Sequence, residues 1–472
     1  MLAAVASYRY EPLSPQDAAF LAAEGPTTPM HIGAAFVAEA GPLATPEGGV
    51  DIARIREFIA GRMHRIPRYQ QRVAYTPLRR RPIWIDERHF NLEYHVRHTA
   101  LPRPGDATQL KRLIGRICEQ PLDRRHPLWE LWIAEGLEGG RRFALISKVH
   151  HCMVDGIAGT ELLTVLMSAR PDEAPEPAPP FVPRPAPGIS ELARDDLVGA
   201  ALAPLEALRG VRELFEVEQR GELGQALRAA SHLVARALLP APATPLNREI
   251  GKHRRFDFFS LDVRRVKAIK DKLGGTLNDV VLAAVSGAVR RFLLRRLVDV
   301  SSLDFRISAP VSVRTSSERG VPGNRVSAWI IRAPVGEPDP LRRLDAIRVA
   351  TRRLKESNEA LGADLLSAAT EWTGSTLLSL GTAFQNFGRP QNLIVTNVPG
   401  PQLRLYLVGA PLVEAYPIAP LFQNQAVIVA LFSYDGRLFF GLNADSDAMP
   451  DLPDLRGDLE RAFDELAAAA AV

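Results

Sequence analysis

A chain of 472 residues is longer than one ordinary core organises, so two domains are expected, and 46% apolar with 24% charged residues describes a folded globular protein. A net charge of +4, without zinc-finger or aromatic-basic patterns, does not indicate nucleic acid, while a pI near 9.1 suits an acidic co-substrate or an anionic surface. Two cysteines (Cys118 and Cys152), no basic-then-apolar leader and no apolar run of about 18 residues point to a cytoplasmic protein, at most peripherally attached to the inner membrane face or to lipid inclusions.

In chain order, Asp51 to Arg65 places Ile52, Ile55, Phe58, Ile59 and Met63 at helical spacing. Phe90 to Val96 alternates as a half-buried strand does. Asp106 caps a helix, with Gln109 in the reciprocal capping position. Leu131 to Leu137 and Phe143 to Val149 form a hairpin whose second strand ends at His150-His151-Cys152-Met153-Val154-Asp155-Gly156. A proline-rich stretch, Ala169 to Pro187, reads as an extended connector. Leu197 to Leu239 is helical in pattern, either a bridging segment or a membrane-surface helix. Beyond it, Asp262 caps a helix to Leu273, and Thr276 with Asp279 forms a capping box for a helix to about Leu297. Ile307 to Arg314, Arg325 to Ala333 and Asn392 to Thr396 are strand-like. Gln425 to Tyr434 and Arg437 to Asn443 flank the hairpin turn Asp435-Gly436. The expected division is an N-terminal domain over 1–168, a connector over 169–250 and a C-terminal domain over 251–472, with a site between two halves of similar size.

The histidine pair allows several readings. Imidazole titrates nearest neutral pH, so a histidine where a strand meets a helix suits a general base. A hydrogen-bonded core histidine is the bland alternative. A metal site is disfavoured, because adjacent strand side chains point to opposite faces and the His-Glu-x-x-His helical spacing is absent. Cys152 reads as a packing thiol rather than a nucleophile. Asp155-Gly156 reads as a turn or helix entry, with Asp155 fixing loop geometry through a buried arginine. Arg79-Arg80-Arg81 and Arg295-Arg296 read as solvated charged faces.

The ordered landmarks resemble one family. They are Leu13-Ser14-Pro15-Gln16-Asp17, Pro127-Leu128-Trp129, the segment His150 to Gly156, Asn278-Asp279, Ser312-Val313-Arg314, Gly323-Asn324, Thr396-Asn397-Val398-Pro399-Gly400-Pro401 and Gly441-Leu442-Asn443-Ala444-Asp445. Together they resemble the bacterial wax ester synthase/diacylglycerol acyltransferase family, itself similar to CoA-dependent acyltransferases and condensation domains. The resemblance implies an α/β (α+β) fold of two chloramphenicol-acetyltransferase-like domains, with mixed sheets flanked by helices and an active-site tunnel at the domain interface. It also implies long-chain acyl-CoA as co-substrate, with no permanently bound cofactor and no metal, and diacylglycerol or a long-chain alcohol as acceptor. His151 is the expected base, with His150, Asp155, Gly156 and Asn278 completing the site and Arg314, Asp279 and Trp129 supporting it. Asn278 either starts its helix or donates to substrate. Rival expectations are transfer to a polyketide or carrier-bound alcohol, and a non-catalytic lipid-binding protein on the same scaffold.

Overall fold

The computed structural model describes residues 10–153, 166–173, 177, 179–201, 240–312, 326–360 and 391–472. The first half carries β1 (Glu11–Pro12), α1 (Pro15–Ala23), β2 (His31–Glu39), α2 (Ile52–Arg62), β3 (Gln71–Tyr75), β4 (Pro82–Asp86), α3 (Leu92–His95), β5 (Val96–Ala100), α4 (Ala107–Glu119), β6 (Trp129–Leu137) and β7 (Arg142–His150). A helix over 189–201, α5, follows. The second half carries β8 (Arg254–Asp262), α6 (Val263–Leu273), α7 (Leu277–Arg295), β9 (Arg306–Ser312), β10 (Val326–Arg332), α8 (Pro340–Ala360), β11 (Leu393–Pro399), β12 (Tyr406–Leu407), β13 (Ala410–Ile418), β14 (Val427–Tyr434), β15 (Arg437–Asp445) and α9 (Leu452–Ala470).

Local chemistry sets most of these boundaries. The Asp106 side chain accepts from the Gln109 amide while Gln109 reaches back to the cap, and Thr276 and Asp279 do the same for α7. The β14–β15 hairpin turns on Asp435 and Gly436, both at positive φ (42° and 75°), as the tight turn of a twisted hairpin requires. Phe90 to Val96 departs from the expected strand. The Asn91 side chain accepts from the Glu93 amide at 3.0 Å and starts the short α3, so pairing begins only at Val96.

Two mixed six-stranded sheets form the frame, in the orders β12-β13-β2-β7-β6-β5 and β10-β9-β11-β14-β15-β8. In the first, β5 and β6 are parallel; in the second, β11 is parallel to both its neighbours. A third sheet of three strands runs β1-β4-β3. The first sheet differs from a division at residue 251, because β12 and β13 come from the second half of the chain. β13 pairs antiparallel with β2, from Leu412 opposite Ala38 to Ile418 opposite Gly33. The pairing covers the edge that β2 would otherwise expose, and Ala410, Leu412 and Ala415 join the N-terminal apolar core.

Where it is described, the proline-rich connector forms neither helix nor strand and is docked. Buried Arg62 donates to the Met167 carbonyl (3.0 Å), to Ser168 Oγ (3.2 Å) and to the Glu173 carboxylate (2.5 Å). Arg184 donates to both carboxylate oxygens of Asp86 at 3.1 and 2.8 Å. The next helix, α5, sets Leu192 among Tyr10, Ile83 and Ile85 on the three-stranded sheet. The halves meet where α4 lies on β8, with Lys111 Nζ 2.5 Å from Asp257 and the Arg254 amide donating to Glu119 at 3.2 Å.

Candidate active site

β7 is covered on both faces along most of its length, so its last residue arrives on a rigid support. His150 sits opposite His31 of β2 and is fully buried. Its Nδ1 accepts from the Cys152 amide at 3.1 Å, which leaves the proton on Nε2. That Nε2 faces Glu24 Oε1 at 3.5 Å, a charge contact too long and ill-aligned for a good hydrogen bond. His31 Nε2 approaches the same oxygen at 3.7 Å. Glu24 Oε2 in turn accepts from Arg124 Nε and Nη2 at 3.1 and 2.7 Å. Burial raises the Glu24 carboxyl, yet His150 and Arg124 outweigh it and hold the group down at about 2. Burial pushes His31 down to about 3, so the cluster holds a charged carboxylate beside a neutral His31 ring.

His151 begins the short 3-10 turn His151–Met153, just past the end of β7. Its amide donates to the Met30 carbonyl at 2.8 Å, and its ring stacks on Phe20 of α1, 3.7 Å between centroids and 15° from parallel. Nδ1 is buried and finds no partner apart from its own backbone, while the residue as a whole keeps partial exposure. Burial, opposed by its own backbone oxygen, lowers the ring to about 4. At neutral pH His151 is thus uncharged, with Nε2 available as an acceptor when Nδ1 carries the proton. Burial drives the Cys152 thiol in the opposite direction, well above its usual value, which removes it as a thiolate nucleophile.

The other expected residues divide cleanly. Trp129 is buried, donates from Nε1 to the Tyr69 carbonyl at 2.8 Å and stacks on His95 at 4.5 Å, a packing role at the start of β6. Asp279 Oδ2 accepts from the Thr276 amide and hydroxyl at 2.7 and 2.9 Å, and Oδ1 accepts from the Thr351 hydroxyl at 2.8 Å, so it locks α7 to α8. Asn278, one residue earlier, is half-buried, and its side-chain amide has no hydrogen-bond partner among the described residues. Neither residue hydrogen-bonds the histidines. Gly400 donates its amide to the Ser433 carbonyl at 2.9 Å, and a Cβ there would collide with that carbonyl and with the Phe432 ring. Asp155, Gly156 and Arg314 lie outside the described residues. Among the described residues no three His, Cys, Asp or Glu side chains converge as metal ligands. Glu24, His31, Arg124 and Phe20 were not legible as site residues. The Leu13 to Asp17 landmark drew attention to the start of α1 but not to Phe20 and Glu24 at its far end.

Two mixed-sheet halves with an uncharged imidazole at the end of a central strand fit the class of acyltransferases. Comparison with known proteins makes the assignment specific. Residues 13–281 match the wax ester synthase/diacylglycerol acyltransferase catalytic domain, and residues 322–467 match the C-terminal domain of the same family. A putative diacylglycerol O-acyltransferase of Mycobacterium tuberculosis strain CDC 1551 is 34% identical over 97% of this chain and 90% of its own length. A probable diacylglycerol O-acyltransferase of M. tuberculosis strain H37Rv is 33% identical over 97% and 96%. The wax ester synthase/diacylglycerol acyltransferase of Marinobacter aquaeolei VT8 superposes with a TM-score of 0.70, 26% identity and coverage of 98% and 100%. The starter condensation domain of rhizomide synthetase, solved with C8-CoA, shares the fold at a TM-score of 0.60 and 14% identity, covering 98% and 95%. The chain belongs to the wax ester synthase/diacylglycerol acyltransferase family and is an acyltransferase. No helix among the described residues is long and apolar enough to cross a membrane.

Proposed function

We propose that this protein transfers a long-chain acyl group from CoA to the free hydroxyl of diacylglycerol, forming triacylglycerol, and accepts long-chain alcohols to give wax esters. The observation that carries the chemistry is the neutral, Phe20-stacked and partly open ring of His151. Its Nε2 takes the hydroxyl proton as the alcohol oxygen bonds to the thioester carbonyl carbon. The tetrahedral adduct then breaks its C–S bond, and the imidazolium returns the proton to the departing thiolate. No acyl-enzyme is required when both substrates are held in line, and the raised Cys152 thiol argues against one.

Glu24 and His150 act at one remove. The carboxylate, anchored by Arg124, fixes His150 and with it the end of β7 that presents His151. Asn278 offers an uncommitted amide for the substrate carbonyl, a contact worth about 3 kcal/mol when it forms only in the transition state. Asp155 is assigned the structural partnership with Arg314, and Gly156 the backbone geometry of the turn after the base.

The test is thiol release from palmitoyl-CoA with diolein, with hexadecanol and with no acceptor. Acceptor-dependent release by the wild type, lost in His151→Ala with the circular dichroism spectrum and melting temperature retained, is expected. Release that survives in His151→Ala, or a palmitoyl group trapped on Cys152, would overturn the mechanism.

A further inference from the structure

Two arginine runs look alike in the sequence but differ in the fold. Arg295 and Arg296 are committed, donating to Asp458 and Asp451 at 2.6 Å each. Arg79 and Arg80, in the turn between β3 and β4, are exposed and have no acidic partner among the described residues. The turn is held against α5. The Leu78 and Arg79 amides donate to Asp196 Oδ2 at 3.1 and 2.9 Å, and Arg81 Nε lies 3.4 Å from Asp196 Oδ1. Around these cations the same two elements expose aliphatic side chains, Leu78 at 57%, Leu197 at 62% and Val198 at 50%. Asp196, the acid beside the patch, is buried and taken up by the turn.

We infer that this turn and the outer face of α5 dock the protein on an anionic lipid surface. Guanidinium groups without an acidic partner among the described residues, interleaved with exposed aliphatic side chains, complement phosphate headgroups above an acyl layer. They do not suit a free nucleotide, which has no use for the leucines and the valine. The patch also lies near the site, without touching it. The Arg80 guanidinium lies 5.1 Å from the Tyr75 ring centroid, and Tyr75 Oη accepts from Arg124, which grips the Glu24 carboxylate facing His150. A membrane bound there brings a water-insoluble acceptor within a few side chains of the histidine cluster. This deepens the acyltransfer reading and rests on it only for the identity of the acceptor.

Flotation of the full-length protein with extruded vesicles tests the surface without any turnover. The wild type is expected to float with phosphatidylcholine/phosphatidylglycerol vesicles, far less with phosphatidylcholine alone, and less again as salt is raised. Arg79→Glu with Arg80→Glu should weaken partitioning on the order of thirtyfold or more. Leu197→Ser with Val198→Ser should weaken it roughly tenfold. Both double variants should release thiol at the wild-type rate from detergent-dispersed diolein and palmitoyl-CoA, and more slowly than wild type when the diolein is carried in anionic vesicles. Failure of the wild type to float, equal flotation of the arginine variant, or a raised KM for palmitoyl-CoA with flotation unchanged would each overturn the inference. Absence of thiol release from the wild type would instead refute the acyltransfer reading and leave flotation to decide the docking.

Discussion

The ends of β2 and β7 bury His31 and His150 around one carboxylate, with His151 stacked on Phe20. The second half buries different material. From Val280 to Val289 every residue of α7 is buried, and the side chains are aliphatic apart from Ser286, whose hydroxyl donates to the Leu282 carbonyl at 2.7 Å, and Gly287. Eight of the ten histidines precede residue 152, and His253, the one described in the second half, is exposed. Similar sheets therefore do different work. One gathers buried histidines around a carboxylate, which costs stability unless the charge is paired; the other backs its sheet with the apolar α7 and keeps its buried charges in pairs such as Arg254 with Asp445.

The comparison breaks outright if removing the base leaves turnover intact. His151→Ala is expected to lower acceptor-dependent thiol release about a thousandfold, at little cost in stability because the ring's polar atoms contact little else.

Glu24→Gln should affect both properties. Removing the charge leaves Arg124 without its partner, and because Arg124 is partly exposed the loss is about 2 kcal/mol rather than the full cost of a deeply buried pair. Turnover should fall about tenfold as His150 and the β7 end loosen. Urea unfolding and kcat measured on the same preparation check this, and a variant with wild-type values for both would remove Glu24 from the account.

Acid should unfold the protein through the first sheet. His31 and His151 have folded values near 3 and 4, below the usual 6.5, so the unfolded chain binds protons that the native state refuses. Their contribution is complete above pH 6.5 and is lost as the pH falls through their folded values, at most on the order of 5 kcal/mol for His31 and 3 kcal/mol for His151. The Glu24 carboxylate adds to the loss below pH 4.5. Calorimetry from pH 7.5 to 4.5 should record a steady fall in melting temperature; a flat profile contradicts buried neutral imidazoles. The smallest effect belongs to the second half. Thr351→Val deletes the 2.8 Å hydrogen bond to Asp279 and should cost about 1 kcal/mol without changing kcat.

The elements whose signals are local were readable. The Asp106–Gln109 and Thr276–Asp279 caps, the Asp435-Gly436 turn and the hairpin delivering the histidine pair each depend on residues a few positions apart. The exchange of β13 into the first sheet was not readable, because strand pairing between Leu412 and Ala38 leaves no mark in either segment. Phe90 to Val96 failed for the opposite reason, a local Asn91 cap overruling an alternation that looked like a strand.

By itself the sequence determined the family landmarks, the candidate base and the periodicities of the elements, since each is written in residue type and spacing. Only the tertiary structure decided that Glu24 lies between two histidines and Arg124, that Phe20 backs the reactive ring, and that Arg79 and Arg80 have no acidic partner among the described residues while Arg295 and Arg296 do. Those outcomes join residues up to about 160 positions apart, and burial and charge pairing exist only once the chain has brought them together.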